Sequence, residues 1–281
     1  MTAIFGSWGL FELNAKNLAY FPNLEVIYYG AGTMKSILTP VVWERDIRVT
    51  TANQMNAIPV AEFTLSQILY SLKNGWTSHR YYESHHDFAD IHQKTNGAYK
   101  EKVGIVSFSQ IGRLVCRHLQ HFDMDIMVYD PTISQADLTD YDAQLASLED
   151  IFAQCQVVSL HAPLLPATEH MVTGQLLASM RDHATFINTS RGKVVDEAAL
   201  IQVMTDRPDL TSILDVTVEE PLPESSPLYE MQNVVLTPHI AGSLGNELAR
   251  MGQAMADEAK NYLDQGKLTY EITEESYSTM A

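Results

Sequence analysis

Three short segments in the second half of the chain carry side chains that together can do chemistry. They are Asn188-Thr189-Ser190-Arg191-Gly192, Asp215-Val216-Thr217-Val218-Glu219-Glu220-Pro221 and Thr237-Pro238-His239-Ile240-Ala241-Gly242. Each sets a polar side chain at a turn beside an apolar run. Arg191 brings a planar fork of N–H donors that grips a carboxylate. Glu220 brings a negative charge that favours the protonated form of a neighbouring imidazole. His239 can then hand a proton to a carbonyl oxygen as a hydride arrives at the carbon. Those are the parts for reducing a 2-keto acid. Taken singly, each has an ordinary alternative. Arg191 fits a surface ion pair, Glu219 and Glu220 fit a solvated acidic loop, and His239 fits a packing histidine. Their shared position, at or just beyond the carboxyl end of an apolar run, favours a joint role.

The elements that must position them follow from hydrophobic patterning. Residues 3–6, 24–29 and 47–49 read as short strands. Residues 60–72 carry helical apolar spacing, with Pro59 where a helix could begin. Residues 74–102 are polar and aromatic with little periodicity. Then come a buried strand at 103–108, helical spacing over 112–122 and a strand at 126–129 that ends in Asp130-Pro131. Further strands are expected at 157–160, 185–188, 212–215 and 234–236. Asp196 is placed as the N-cap of a helix from Glu197. A long helix is expected over 245–265, ended by Gly266, and the polar tail 273–281 is expected to fray. Apolar strands alternating with helices predict an α/β fold with a parallel, doubly wound sheet.

The chain has 281 residues, 46% of them hydrophobic, enough for one large core or two modest ones. A formal net charge of -17 argues against a nucleic-acid surface or an anionic membrane as partner. An anionic substrate must then be drawn by a local positive site. No apolar run reaches membrane-spanning length, and the first residues lack the pattern of a signal peptide. Cys116 and Cys155 are far apart in sequence and lie in apolar segments. They read as buried free thiols of a reducing, cytoplasmic compartment. His79, His85, His86, Asp87 and His92 lack helical metal-ligand spacing, so a solvated or dimer-contact arm is the better reading and no metal is expected. Trp8 and Met55 fit either a substrate pocket or core packing.

The order and spacing of the three segments resemble the D-isomer-specific 2-hydroxyacid dehydrogenases, and the likeness covers nearly all of the chain. The resemblance implies a Rossmann-type dinucleotide domain inserted in a flavodoxin-like substrate domain. The insert is placed at 58–241; residues 1–57 and 242–281 make the other lobe, with the active site in the cleft. The family fingerprint G-x-G-x-x-G should follow the strand at 103–108. Here the positions read Ser107-Phe108-Ser109-Gln110-Ile111-Gly112, and only the third glycine is present. Ser107 must manage a tight turn with a Cβ, and Ser109 sets a hydroxymethyl group where backbone should approach the pyrophosphate. Asp130, at the end of the next strand, is expected to accept from ribose hydroxyls and to repel a 2′-phosphate, which favours NAD over NADP.

By the same resemblance, cofactor contacts are expected from Ser109, Gln110, Ile111, Gly112, Ala162, Pro163, Thr168, the backbone of Thr189, Ser190 and Arg191, and from Asp215, His239 and Gly242. Asp215 is expected to accept from the nicotinamide amide, against the alternative of a turn aspartate. Arg191 and the N–H groups of Ala31, Gly32 and Thr33 are expected to hold the substrate carboxylate, with Glu220 and His239 as the acid–base pair. A homodimer through the dinucleotide domain is also implied. The family's substrate lobe normally starts with one further strand–helix–strand unit, on the order of 40 residues, so the chain reads as an N-terminally short member with a bare sheet edge. That shortness, with Ser107 and Ser109, carries the alternative: a degenerate relative that binds dinucleotide weakly or acts as an interaction protein. The intact Arg191, Glu220 and His239 favour turnover.

Overall fold

The short apolar runs form strands, and each pairing between them is parallel. The computed structural model describes residues 1–88 and 95–279. The chain divides into two units, Met1–Pro59 with Gly242–Ala281, and Val60–Ala241.

The first unit holds β1 (Ala3–Gly6), β2 (Val26–Tyr29) and β3 (Arg48–Thr51) in the order β1-β2-β3. All four residues of β2 are buried, as a central parallel strand requires. Helix Glu247–Gln265 supplies Met251, Ala254 and Met255 to the same core as Leu13, Leu18, Ile27 and Val49. It ends at Gly266, whose φ of 66° suits a left-handed cap without a Cβ. The chain then runs along β3, where Ile272 N–H donates to Val49 O at 2.8 Å. Glu271 clasps Arg48 there through two bonds of 2.7 Å. The tail does not fray where it is described. Glu274–Thr279 is a helix, because Thr273 Oγ1 accepts from Ser276 N–H at 3.1 Å and Tyr277 packs on Trp43. Trp8 is 56% exposed, so core packing is not its role. Met55 packs at the margin of the core.

The second unit holds β4 (Lys102–Val106), β5 (Asp125–Tyr129), β6 (Ala143–Leu145), β7 (Val157–Leu160), β8 (Thr185–Asn188), β9 (Thr211–Leu214) and β10 (Val234–Leu236). Their order is β10-β9-β8-β7-β4-β5-β6. The chain winds outward one way from β4 and the other way from β7. The carboxyl ends of those two strands therefore flank the switch point at which such sheets bind ligands. One face of the sheet is covered by a cluster with Phe152, Leu177, Phe186 and Leu200, the other by one with Ile68, Leu72, Val115 and Leu119. Cys116 and Cys155 are fully buried free thiols, each pushed up to about 12 by burial.

Three further sequence expectations need correction. The helix reaches from Asn53 to Leu72 with Pro59 inside it. The Ala52 carbonyl accepts from Met55 and Asn56 and so starts the turn ahead of the proline, which forgoes one helical bond. The supposedly irregular stretch after Asn74 contains helix Gly75–His85, with Gly75 its only buried residue. A helix that packs so little has no apolar period to read. The expected helix at 112–122 runs from Gln110 to Leu119 instead, because Ser109 takes the cap position. Asp196 caps its helix as expected, accepting from Ala199 N–H at 3.0 Å.

Candidate active site

The turn after β8 carries Arg191. Asn188, the last residue of β8, folds back on that turn. Its Oδ1 accepts from Ser190 N–H and Ser190 Oγ at 2.9 Å each, and its amide donates to Arg191 O at 3.1 Å. Gly192 follows, where an added Cβ would lie 2.1 Å from the Thr217 backbone. Only glycine lets the β8 and β9 turns approach so closely. Burial pushes the Arg191 guanidinium below its usual range, and the Glu220 charge opposes that shift. One of its N–H groups donates to Ser190 O at 2.6 Å.

The turn after β9 begins at Asp215, which is 2% exposed. Its Oδ1 accepts from Thr237 Oγ1 at 2.6 Å and Ile240 N–H at 2.9 Å, and its Oδ2 from Ala241 N–H at 2.9 Å. Asp215 therefore ties down the segment that carries His239. His239 adopts φ 53° and donates its N–H to Asp215 O at 3.0 Å. The imidazole then meets Glu220, with Nδ1 2.8 Å from Oε2. Both side chains stay about half exposed, at 51% and 42%. They line a cavity of about 430 Å³ with Thr217, Leu222, Tyr229 and Pro238. With Nδ1 engaged, Nε2 is the nitrogen left to face a reactant.

Two positioning groups escaped sequence reasoning. Glu197, in the first turn of its helix, accepts from Val218 N–H at 2.9 Å and braces the Glu220 turn from outside. Thr217 N–H donates to Glu220 Oε1 at 3.3 Å. Glu197 lies too far from Glu220 in sequence to be paired with it. Thr217 stood inside the quoted segment and was the readable signal.

The loop between β4 and helix Gln110–Leu119 fits a dinucleotide pyrophosphate in its backbone. At Gly112 a Cβ would lie 2.1 Å from Ser107 O, so the turn is as tight as a glycine loop. Ser107 makes it with a φ of 80°, a conformation costly for any residue with a Cβ. Ser109 sits at the cap position but donates its hydroxyl to His161 O at 3.1 Å rather than capping the helix. The N–H groups of Gln110, Ile111 and Gly112 are thereby left to an anion at a helix N-terminus. Arg113 lies over the Phe108 ring and donates to Phe108 O. Asp130 lies one residue past β5 and binds this loop. Burial pushes its carboxyl up, but the bonds from Thr132, Phe108 and Ser107 together outweigh burial and leave it below the usual range.

The remaining expected residues fall into three groups. Ala162 and Pro163 follow β7 across the switch point. Thr168 closes their loop by donating to Pro163 O at 2.5 Å and accepting from Leu165 N–H at 2.9 Å. Thr189 and Ser190 are buried, and the Thr189 hydroxyl lies 3.3 Å from that of Thr64. Ala31, Gly32, Thr33 and Gly242 belong to the first unit. There Thr51 Oγ1 donates to Ala31 O and Gly32 O, and Asn56 accepts from Ser243 N–H beside Gly242. In the histidine-rich arm, His79 is 3.4 Å from Glu83 and His85 stacks on Tyr81. His92 lies outside the described residues. Among the described residues, no group of three or more His, Cys, Asp or Glu is set to hold a metal, and no helix is long and apolar enough to cross a membrane. His161 is fully buried and pushed down to about 3 by burial; its Nε2 lies 3.0 Å from Ser159 Oγ.

A doubly wound parallel sheet with a tight strand-to-helix turn at its switch point and an imidazole–carboxylate pair at its strand ends is the architecture of a dinucleotide-dependent class of protein. The comparisons narrow the class. Residues 65–241 match the model described as D-isomer specific 2-hydroxyacid dehydrogenase, NAD binding domain. The chain is 32% identical to (S)-sulfolactate dehydrogenase of Chromohalobacter salexigens over 254 residues, 88% of this chain and 80% of that protein. It is 28% identical to D-3-phosphoglycerate dehydrogenase of Mycobacterium bovis over 88% of this chain and 47% of that protein, so it spans about half the length of that relative. The crystal structure of Rhodotorula graminis D-mandelate dehydrogenase shares the fold, with a TM-score of 0.86 at 22% identity over 98% of this chain and 84% of that one. The chain belongs to the D-isomer specific 2-hydroxyacid dehydrogenase family, and its matched domain is the one that binds NAD(H).

Proposed function

We propose that the chain is an NAD-dependent oxidoreductase that interconverts a 2-keto acid and a D-2-hydroxy acid. The observation that carries this reading is the 2.8 Å contact between His239 Nδ1 and Glu220 Oε2 at the rim of a cavity. It fixes the imidazole by one nitrogen and turns the other to a reactant. Arg191 grips the substrate carboxylate and polarises the keto oxygen. His239 passes a proton to that oxygen in reduction and removes it in oxidation. Glu220 holds the imidazole by Nδ1 and so orients it for that transfer. The nicotinamide, when bound, supplies or takes the hydride at C2.

The turn at Gln110, Ile111 and Gly112 is assigned to the pyrophosphate, Asp130 to the adenosine ribose and Asp215 to the nicotinamide amide. An ionised carboxylate has about four acceptor positions, and Asp215 uses three of them within the chain. Ala162, Pro163 and Thr168 are assigned to the same cofactor, as are Ser109 and the backbone of Thr189 and Ser190. The unit of Met1–Pro59 with Gly242–Ala281 is assigned as the substrate domain and Val60–Ala241 as the NAD-binding domain. The reading extends to a homodimer, for which the exposed Tyr82 of the Gly75–His85 arm offers apolar surface. It also extends to the cytoplasm, which suits two buried free thiols.

The test is NADH oxidation by the purified chain with a panel of 2-keto acids, alongside His239→Ala. Activity in the parent and a loss on the order of 10²–10⁴ in the variant is expected. A folded parent that binds NADH yet reduces no 2-keto acid would sink the reading.

A further inference from the structure

Asp130 is held by four donors of its own chain. Its Oδ1 accepts from Thr132 N–H at 2.9 Å and Thr132 Oγ1 at 2.6 Å, and its Oδ2 from Phe108 N–H at 2.8 Å and Ser107 Oγ at 3.3 Å. That uses all of the roughly four acceptor positions of a carboxylate. The four donors are not alike. The two amides belong to the backbone of the turns and are fixed there. The two hydroxyls sit on rotatable side chains, one on each carboxylate oxygen. A vicinal diol also brings two hydroxyl donors.

We propose that the hydroxyls of Ser107 and Thr132 occupy the two places on Asp130 that the ribose hydroxyls of a dinucleotide would take, which makes both residues determinants of cofactor affinity. The inference rests on the dinucleotide site of the proposed function and deepens it. Ser107 reaches Asp130 because it holds a left-handed φ of 80° at the first position of the loop, where glycine would have no hydroxyl to offer. Thr132 reaches it from the turn that follows β5. Binding a ribose then exchanges two internal bonds for two external ones, where a glycine loop would give up only water. Both bonds are charge-assisted, but the Thr132 bond is the shorter at 2.6 Å against 3.3 Å, so its hydroxyl is the stronger competitor.

The experiment uses the full chain, Ser107→Ala, Thr132→Val and the double variant. Both substitutions keep the Cβ shape and the backbone N–H groups that hold Asp130. The ligands are ADP and 2′,3′-dideoxyadenosine 5′-diphosphate, titrated by calorimetry, with NADH in parallel by fluorescence. ADP and NADH are expected to bind about tenfold tighter to Thr132→Val, about threefold tighter to Ser107→Ala and more tightly still to the double variant. The dideoxy ligand, with no hydroxyls to place, should bind the four proteins equally. Unchanged or weaker ADP binding in the variants, with clear binding by the parent, overturns the inference and leaves the dinucleotide site standing. Equal tightening of ADP and its dideoxy form also overturns it, because the loop would then have loosened as a whole. If no folded protein of the set binds ADP or NADH, the inference and the dinucleotide site fall together.

Discussion

Asp130, past the end of β5, and Asp215, past the end of β9, stand at equivalent places in one sheet and are differently occupied. Asp130 takes two amides and two hydroxyls, which leaves it no spare acceptor position. Asp215 takes two amides and one hydroxyl and keeps a position on Oδ2. The amides at both ends fold turns. At the β9 end they fix the His239 segment, and the half-exposed imidazole–carboxylate pair beyond it faces a cavity. At the β5 end they fix the Ser107 turn, and the hydroxyls close what the amides leave. A strand-end aspartate is thus a scaffold first. Whether it also serves a ligand depends on how many of its donors can leave.

The widest gap between the two ends should appear in turnover. His239→Ala should cost on the order of 10²–10⁴ in kcat with a far smaller loss of NADH affinity; an equal loss of NADH affinity would make His239 a cofactor-holding group rather than the proton donor. Arg191→Lys keeps the charge and loses the fork. Its kcat/KM for a keto acid should fall about 10- to 100-fold, the worth of one charged hydrogen bond, with NADH affinity intact. Asp215→Asn should act on the fold. It turns an acceptor oxygen into a donor facing Ala241 N–H or the Ile240 and Thr237 donors, at a cost of about 2–3 kcal/mol in urea denaturation. An unaffected midpoint would mean that the clamp is idle.

His161 directly follows β7 at the switch point, and its effect depends on pH. Its folded pKa, pushed down to about 3, is below the ordinary value of 6.5. The unfolded chain therefore binds the proton first. Stability should fall as pH drops from about 6.5 toward 3, by at most about 1.4 kcal/mol per pH unit from this group. Above 6.5 the group should contribute no slope. His161→Gln should flatten that part of the profile, and an unaltered slope would assign the acid sensitivity to the carboxylates. The smallest effect belongs to Ser107→Gly, which relieves the φ of 80° and loses one long bond. A gain of about 0.5–1 kcal/mol is expected in the same denaturation assay.

Much of this arrangement was legible from residue order. Apolar runs bounded by turn residues gave the central strands to within a residue or two, because a strand buried on both faces has little choice of composition. Arg191, Glu220 and His239 stood out because each ends such a run, and the Glu220–His239 contact follows from their strands lying side by side. The edge strands β1, β3 and β10 were read, but β6 and the surface helix Gly75–His85 were not. β6 is three residues long, and helix Gly75–His85 buries almost nothing, so neither imposes a period on its sequence. The contribution of Glu197 was hidden because it depends on how two turns lie in space. The saturation of Asp130 was hidden for a related reason: Ser107 and Thr132 look like a spoiled glycine and a plain turn residue until their hydroxyls are placed.

The two cysteines turn the division of the chain into something that can be timed. Cys116 and Cys155 both lie in Val60–Ala241 and none lies in the other unit. Fully buried and with thiols pushed up to about 12, they offer almost no thiolate to an alkylating reagent while the sheet is closed. Each labelling event must therefore wait for an opening of that one unit. Cys116, on helix Gln110–Leu119, reports the loosening of that helix, and Cys155, ahead of β7, reports the opening of the sheet centre. The ratio of the two rates then tells which part lets go first, with no engineered probe and no signal from the unit that lacks a thiol.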